Sequence, residues 1–416
     1  MGVSALLAAG VAGASHAPPW LEAAGDLRPG IRSARILLAD QPILTAPYPT
    51  APRRGTVARD VYLPIFATRR GDGCRGLWYQ VGTKAWVCEE AVDLSSAPPI
   101  EAGKRVFEDT SDGLPFRYFF VGPGGSQGYK RVEAVDIGEP DFTLQPGFAV
   151  AITAERNFDG SRYGRTDHNL WVPMRDLGAV HALAFQGESI PDAPAGKPFP
   201  TAWVIVDHAR VLTKPNGPPS SQTRARFEAL TVSEVSEGIG GKFLRIGDNA
   251  WISAKDVRHP VPVAPPSEVD ADAGERWIDV DLDTQTLVAF EGRKPVFATL
   301  VSTGKGKQGT PLATPKGVHR IWIKLLTSDM DNLEDDNASR YWRIEDVPWV
   351  QYFSKGVGLH GAFWHRSFGN VRSHGCVNLS PLDAQRLFHW TGPHLPGGWT
   401  AVLPTSHELG TVIRVR

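Results

Sequence analysis

The chain has 416 residues, too many for one compact core and enough for roughly three domains of about 150 residues. Its 44 Lys and Arg residues balance 45 Asp and Glu residues, so no basic excess favours nucleic acid or anionic lipid as a partner. With 42% hydrophobic residues, 43 Gly and 34 Pro, the composition excludes wholesale disorder and favours short strands, turns and Pro-rich linkers.

A small apolar run opens the chain. It extends from Gly2 to Ala14 and ends shortly before Pro18-Pro19, like the hydrophobic region and cleavage site of an export signal, although no Lys or Arg precedes it. An Ala-rich terminus without a targeting role is the alternative interpretation. We expect residues 1–17 to be the remnant of a signal peptide and the protein to be exported to the periplasm or cell envelope. Since the run is shorter than the roughly 18 residues that a membrane span needs, we expect no transmembrane segment in the mature chain.

One signature recurs three times along the next 240 or so residues. In each copy an aromatic residue is followed eight positions later by a tryptophan, then by a β-branched residue and, six residues after the tryptophan, by an aliphatic residue. The copies are Trp78–Val92 with Trp86, Tyr163–Leu177 with Trp171, and Phe243–Val257 with Trp251. Gly82 and Gly247 mark the turn of a predicted hairpin in the first and third copies, and we expect the tryptophans to pack in a core.

These repeats resemble bacterial SH3-like domains, which are small β-barrels. We place module 1 at 43–95, a divergent module 2 at 110–180 and module 3 at 200–260, with a Pro-rich and then acidic linker at 261–274. The resemblance implies that the modules bind glycan or another wall polymer. In an oxidising compartment Cys74 and Cys88 are candidates for a disulfide, which leaves Cys376 as the odd thiol.

After the linker the sequence predicts a mainly β domain. Trp277–Leu282 alternates apolar residues with Asp279 and Asp281, the pattern of a half-buried strand, and further strands are predicted at 287–290, 296–302 and 318–323. One convincing helix is predicted to begin with Ser380 as N-cap and Pro381 in its first position.

A histidine, a cysteine and several glycines cluster in the stretch Val357–Leu379. His360 precedes the tetrapeptide Ser373-His374-Gly375-Cys376 by thirteen residues, and Asn378 follows it. A thiol is a strong nucleophile only as a thiolate, and a neighbouring imidazole can hold its proton and later return it to a leaving amine. The pattern therefore predicts nucleophilic catalysis by Cys376 with His360, and backbone amides around Gly375 could face a developing oxyanion.

The segments His360-Gly361 and Ser373-His374-Gly375-Cys376-Val377-Asn378 resemble the catalytic signature of L,D-transpeptidases of the YkuD type. The resemblance covers 275–404 and implies a β domain with one or two short helices. It assigns Cys376 as nucleophile and His360 as proton donor and acceptor, oriented by a backbone carbonyl. It also implies an oxyanion hole from the amides of Gly375 and Cys376. The pocket residues that it implies are Ser373, His374, Gly375, Gly361 and Asn378, and the candidates for the substrate cleft are Tyr352, Trp364 and His365.

Two metal hypotheses are weaker. Asp329, Asp331, Glu334, Asp335 and Asp336 lack the spacing and glycine of a calcium loop, so a solvated acidic loop is the favoured interpretation. The histidines of the motif could bind zinc only with the single sulfur of Cys376, and the predicted chemistry needs no metal. We therefore expect neither a metal nor a cofactor.

The resemblance implies peptidoglycan L,D-transpeptidation as the function. Cys376 would attack a donor stem peptide, release D-alanine and pass the acyl group to an amine, which could belong to a diaminopimelate residue, a lipoprotein lysine or a free D-amino acid. Two alternatives remain: an L,D-carboxypeptidase that uses water as acceptor, and a non-catalytic wall-binding protein. The reaction class also implies acylation of Cys376 by β-lactams, with carbapenems as the best reagents.

Overall fold

The computed structural model describes residues 29–101, 110–190, 199–334 and 340–416. The predicted signal-peptide remnant at 1–17 and the acidic residues Asp335 and Asp336 lie outside these ranges. The chain divides into two compact units, Met1–Lys104 and Arg105–Arg416. The predicted mainly β fold is confirmed. Among the described residues, no helix has the length and apolar character needed to cross a membrane.

The unit Met1–Lys104 consists of short strands and one turn of 3₁₀ helix at Glu89–Ala91. Its strands are β1 (Ser33–Ile36), β2 (Gln41–Leu44), β3 (Arg53–Val57), β4 (Tyr62–Pro64), β5 (Ala67–Arg69), β6 (Trp78–Gly82), β7 (Ala85–Cys88) and β8 (Val92–Ser95). A disulfide joins Cys74 to Cys88, with 5.7 Å between their Cα atoms. Trp86 is buried against Ala67 and Trp78.

The larger unit begins with two further groups of short strands. The first group is β9 (Arg117–Val121), β10 (Ser126–Gly128), β11 (Phe142–Leu144), β12 (Ala149–Phe158), β13 (Ser161–Thr166), β14 (Trp171–Pro173), β15 (Leu177–Ala179) and β16 (Glu188–Ser189), with 3₁₀ turns at Val132–Val135 and Met174–Asp176. The second group is β17 (Thr201–Val204), β18 (His208–Leu212), β19 (Pro219–Ala225), β20 (Ala229–Thr231), β21 (Glu234–Gly238), β22 (Gly241–Gly247), β23 (Ala250–Ser253) and β24 (Val257–Arg258).

One antiparallel pairing scheme recurs in all three groups. In the first group β1 pairs with β4 and β8, β2 with β3 and β7, and β6 with β5 and β7. In the last group β17 pairs with β20 and β24, β18 with β19 and β23, and β22 with β21 and β23. In the middle group one long strand, β12, takes the positions that two short strands have in the other groups. It pairs with β9 through Ala149–Ile152 and with β13 through Ile152–Phe158. The repeated sequence signature thus corresponds to a repeated strand arrangement.

The predicted closed barrels are not found among the described residues. In the last group β20-β17-β24 and β19-β18-β23-β22-β21 form two separate sheets. No strand pairing joins their edges, although the two sheets bury apolar side chains between them, including Val204, Leu230, Leu244 and Ile252. The assignment of the repeats as SH3-like modules therefore stays a prediction.

The C-terminal part contains the one α-helix of the described residues, α1 (Pro381–Trp390), whose N-cap hydroxyl on Ser380 accepts a hydrogen bond from the Asp383 N–H, as the sequence predicts. Its strands are β25 (Arg276–Asp281), β26 (Thr286–Glu291), β27 (Lys294–Leu300), β28 (Gly317–Arg320), β29 (Ile323–Asp331), β30 (Arg343–Ser354), β31 (Val357–Gly361), β32 (Val377–Leu379), β33 (Trp399–Val402) and β34 (Val412–Val415). β34 pairs with β25 and β28, so the domain extends beyond the expected end at 404.

The core of this part lies between two sheets and the helix. One sheet has the order β16-β27-β26-β25-β34-β28, and the other contains β29, β30, β31, β32 and β33. Their buried faces meet through residues such as Ile278 and Leu287 on the first sheet and Trp349 and Leu359 on the second, and α1 adds Leu387. Burial of such apolar side chains is the main source of stability, at about 25 cal/mol per Å² removed from water.

The expectation that β25 is half-buried is wrong. Asp279 and Asp281 are 2% and 4% exposed, as buried as the apolar residues between them. The physical reason is the neighbouring parallel strand β34, which supplies two arginines: Asp279 accepts from Arg414 Nε at 2.6 Å and from Arg416 Nε at 2.9 Å, and Arg416 also pairs with Asp281. Alternation of polar and apolar residues does not reveal partners that lie 135 residues away.

Candidate active site

The strands β31 and β32 bring the two halves of the motif together. They pair in parallel with His360 opposite Asn378, and Cys376 comes two residues before Asn378. The Cys376 thiol lies beside the start of β31, since its Sγ is 3.7 Å from the carbonyl oxygen of Gly356 and the N–H of Gly358 faces it. The fold therefore places the thiol and the imidazole on neighbouring strands, within two residues of direct register.

His360 is held in one orientation inside the domain. It is 2% exposed, and its Nδ1 lies 3.1 Å from the carbonyl oxygen of Gly361. Because a carbonyl oxygen only accepts, Nδ1 carries the proton and Nε2 is left with a lone pair. The indole of Trp364 stacks on the ring at 5.7 Å between centroids. Burial lowers the pKa of His360 to about 4, so the imidazole is neutral at neutral pH.

Cys376 is the free cysteine of the described residues and is partly buried. Burial raises the pKa of its thiol, and the hydrogen bond from Gly358 N–H opposes that shift without cancelling it. Together with the lowered pKa of His360, this makes the resting pair a neutral thiol and a neutral imidazole at neutral pH. The thiol therefore needs a base at the moment of attack, and an imidazole with an unprotonated Nε2 is such a base.

The loop before Cys376 is fixed by two hydroxyl groups. Ser373 Oγ donates to the Cys376 carbonyl and accepts from the Gly375 N–H at 3.1 Å. Thr314 Oγ1 donates to the Gly375 carbonyl at 2.6 Å and accepts from the Gly304 N–H at 2.9 Å. Gly375 has a φ of +130°, a backbone conformation that side chains disfavour. These bonds hold the loop in a single conformation next to the nucleophile.

The two amides proposed for an oxyanion hole differ in this structure. The Gly375 N–H is already engaged by Ser373 Oγ. No described residue accepts a hydrogen bond from the Cys376 N–H. A developing oxyanion could thus accept a hydrogen bond from the Cys376 N–H without displacing another acceptor.

His365 and Asn378 are buried and do not line an open cleft. His365 is 7% exposed, its Nε2 is 2.9 Å from the side-chain amide of Asn378, and its Nδ1 accepts from the Ser367 N–H at 3.1 Å. Burial, and then the positive charge of Arg372, lower the pKa of His365 to about 3. Backbone bonds to Ser302 fix Asn378 at 2.9 and 3.0 Å. His365 and Asn378 therefore stabilise β32, the strand that begins directly after Cys376.

His374 and Tyr352 each stack on a tryptophan that the sequence did not single out. Trp342 lies parallel to the His374 ring at 5.6 Å, and Lys305 Nζ is 3.2 Å from its Nε2. Trp322, which is 44% exposed, stacks on Tyr352 at 5.9 Å. Burial raises the pKa of Tyr352, its hydrogen bond with Ser328 lowers it, and the charge of Cys376 raises it further.

Sequence reasoning missed Trp322 and Trp342 because they belong to segments outside the motif. They are far along the chain from the residues on which they stack, and no local pattern marks them. Thr314 also lies outside the motif. Its hydrogen bond to Gly375 spans 61 residues and follows only from the fold.

Comparison with known proteins identifies the C-terminal part. Residues 275–415 match the YkuD family, described as the L,D-transpeptidase catalytic domain. Among solved structures, a mutant L,D-transpeptidase from Enterococcus faecium is 22% identical, with a TM-score of 0.26, over 34% of this chain and 50% of that chain. An L,D-transpeptidase from Stackebrandtia nassauensis is 26% identical, with a TM-score of 0.23, over 36% of this chain and 61% of that one.

A third structure, L,D-transpeptidase 3 from Mycobacterium tuberculosis with a faropenem-derived adduct, is 14% identical, with a TM-score of 0.27, over 47% of this chain and 72% of that one. The match thus spans about half the length of the E. faecium chain. No curated protein matches this chain. Residues 275–415 are therefore an L,D-transpeptidase catalytic domain, and the residues before them lie outside the matched family.

Proposed function

We propose that this chain is a peptidoglycan L,D-transpeptidase in which Cys376 forms a thioester with a donor stem peptide. The observation that carries the proposal is the position of the thiol, two residues from the register partner of His360, inside the L,D-transpeptidase catalytic domain at 275–415. The neutral, buried His360 supports it, because its Nδ1 faces a carbonyl oxygen and its Nε2 is left unprotonated and able to accept the thiol proton.

The acylation step follows from the charge state of the pair. Sγ of Cys376 attacks the carbonyl carbon of the third residue of a tetrapeptide stem while Nε2 of His360 takes the thiol proton. The resulting imidazolium is buried and acidic, so it readily returns that proton to the nitrogen of the departing D-alanine. The C–N bond then breaks, and a thioester and a neutral histidine remain.

The oxygen of the attacked carbonyl carries negative charge during this step. The Cys376 N–H is available to it, and donation from such an amide stabilises the transition state more than the ground state. Gly375 contributes by letting the loop approach the substrate, with its own amide donating to Ser373. Gly361 contributes its carbonyl as the acceptor that orients His360.

The second half-reaction needs an acceptor. An amine from a neighbouring stem would attack the thioester carbonyl, lose a proton to His360 and release the thiol of Cys376. A diaminopimelate amine, a lipoprotein lysine and a free D-amino acid are all chemically competent, and water would make the same site an L,D-carboxypeptidase. Tyr352 and His374, with their stacked tryptophans, are proposed as walls of the substrate cleft, together with Trp364 beside His360.

The residues before the catalytic domain fit a role at the cell wall. Three repeats of one pairing scheme are proposed to be SH3-like modules that hold wall polymer near the active site. The disulfide between Cys74 and Cys88 supports export, because disulfides persist mainly in oxidising compartments such as the periplasm.

Purified muropeptides provide the test. The full chain is incubated with tetrapeptide muropeptides, and products are identified by mass spectrometry. We expect release of D-alanine and dimers joined through the third residue of the donor, and neither product from Cys376→Ala. Tripeptide without dimers would identify the carboxypeptidase instead. Wild-type turnover by Cys376→Ala would exclude Cys376 as the nucleophile.

A further inference from the structure

A cluster of ionisable side chains outside the motif lies where the second repeat meets the catalytic domain within the unit Arg105–Arg416. His168 is in the turn between β13 and β14, and Asp329 and Asp346 are on β29 and β30. His168 Nε2 is 3.1 Å from Asp329 Oδ1 and 3.9 Å from Asp346 Oδ2. One ligand atom from each of the three residues lies within 4.8 Å of the other two.

Asp346 provides an independent reason to expect a bound cation at this cluster. Its side chain is only 9% exposed, and its Oδ2, which points toward His168, has no hydrogen-bond partner among the described residues. The backbone of Asp346 is fixed, since its N–H donates to Asp329 Oδ1 at 3.1 Å and its carbonyl accepts from the Tyr118 hydroxyl at 2.6 Å. A buried carboxylate oxygen without a partner is costly, and a cation would compensate it.

The charge around the cluster is also unbalanced. Four carboxylates, Asp167, Asp329, Glu345 and Asp346, act on His168 or on one another. They face two cations, the guanidinium of Arg343 and the imidazole of His168, whose pKa is raised by its hydrogen bond with Asp329. Arg343 pairs with Asp329 at 2.9 Å, whereas Glu345 Oε2 is buried without a partner.

We propose that His168, Asp329 and Asp346 bind one divalent transition-metal ion, with Zn²⁺ as the probe of choice. One imidazole nitrogen and two carboxylate oxygens form a donor set that suits such an ion, with metal–ligand distances of about 2.0 to 2.2 Å. The present spacing of 3.1 and 3.9 Å between donor atoms is close to that of ligands around such an ion. The side chain of His168 is 40% exposed, so solvent can complete the coordination.

Binding has a defined chemical consequence. The ion replaces the proton that His168 shares with Asp329, since a metal ligand must be a neutral imidazole. It would also join the β13–β14 turn to the β29–β30 hairpin more firmly than the His168–Asp329 ion pair does. The expected result is a higher unfolding temperature of the metal-bound protein, because a ligand that binds only the folded state stabilises it.

The test is calorimetric titration of the oxidised full chain with Zn²⁺, in a Cys376→Ala background that removes the catalytic thiol as a competing ligand. We expect saturable binding of one ion and an increase in melting temperature. His168→Gln and Asp346→Asn should each weaken binding at least tenfold. His181→Gln, which removes an exposed histidine of the same repeat outside the cluster, should leave it unchanged.

Asp346→Asn removes an uncompensated buried charge, so it is not expected to prevent folding, and circular dichroism spectra establish this before titration. Absence of saturable Zn²⁺ binding in the Cys376→Ala protein would overturn the proposal. So would His168→Gln or Asp346→Asn protein that binds Zn²⁺ as tightly as its parent.

Discussion

Two strands of the catalytic domain bury polar side chains in opposite ways. On β25, Asp279 receives hydrogen bonds from Arg414 and Arg416, so its buried charge is fully compensated. On β31, His360 makes one hydrogen bond, through Nδ1, and its Nε2 accepts none from the described residues. The difference separates a polar group that stabilises the fold from one that is kept neutral and ready to exchange a proton.

The largest expected effect is the loss of turnover when the imidazole of His360 is removed. His360→Ala should lower turnover of muropeptides about 10²- to 10⁴-fold, the usual contribution of general acid–base catalysis, in protein that remains folded. Steady-state kinetics and denaturant unfolding of the same preparation measure both quantities. Loss of stability without loss of rate would assign His360 to the fold instead of the reaction.

Removal of the Asp279 carboxylate, by contrast, is expected to lower the free energy of unfolding. Asp279→Ala leaves two arginines without their buried partner and should cost about 3 to 5 kcal/mol of unfolding free energy. Asp272→Ala is the matched control, because its ion pair with Arg293 is exposed and should contribute almost nothing. Urea unfolding of both variants measures the difference. Equal costs for the two would show that burial of Asp279 adds nothing.

The disulfide gives a third, smaller effect. Replacing Cys74 and Cys88 by serine opens a loop of about 15 residues and should destabilise the unit Met1–Lys104 by about 3 kcal/mol in the chain-entropy model. Hydrogen exchange followed by mass spectrometry localises the effect to β6 and β7. The last repeat has Ile239 and Ser253 at the matching positions, so its protection should not change.

The last effect is a dependence of stability on pH. Because the pKa of folded His360 is about 4 against an ordinary value of 6.5, the folded state binds fewer protons than the unfolded state between those values. Its contribution to stability is therefore complete above pH 6.5 and is lost as the pH falls toward 4. His360→Gln should flatten the decline over this window by up to about 1.4 kcal/mol per pH unit. Parallel curves for the variant and the wild type would contradict a neutral His360.

How much the sequence predicts depends on how local each signal is. The motif around His360 and Cys376 and the N-cap Ser380 lie in short segments, and each corresponds to a feature of the fold. The expectation that the repeated tryptophans pack in a core holds for Trp86 but not for Trp171 and Trp251, which are only partly buried. The burial of Asp279 was not predictable, because its partners come from a strand at the other end of the domain. Trp322 and Trp342 were missed for the same reason.

Covalent trapping of the nucleophile tests the central claim most directly. The full chain is incubated with a carbapenem, and intact mass and peptide mapping locate the adduct. The account predicts one equivalent of drug on the peptide that contains Ser373–Leu379, and none on Cys376→Ala, since a thiolate that opens a stem peptide also opens a strained β-lactam. An unmodified Cys376, or an adduct only at another residue, would contradict the assignment of Cys376 as the activated thiol.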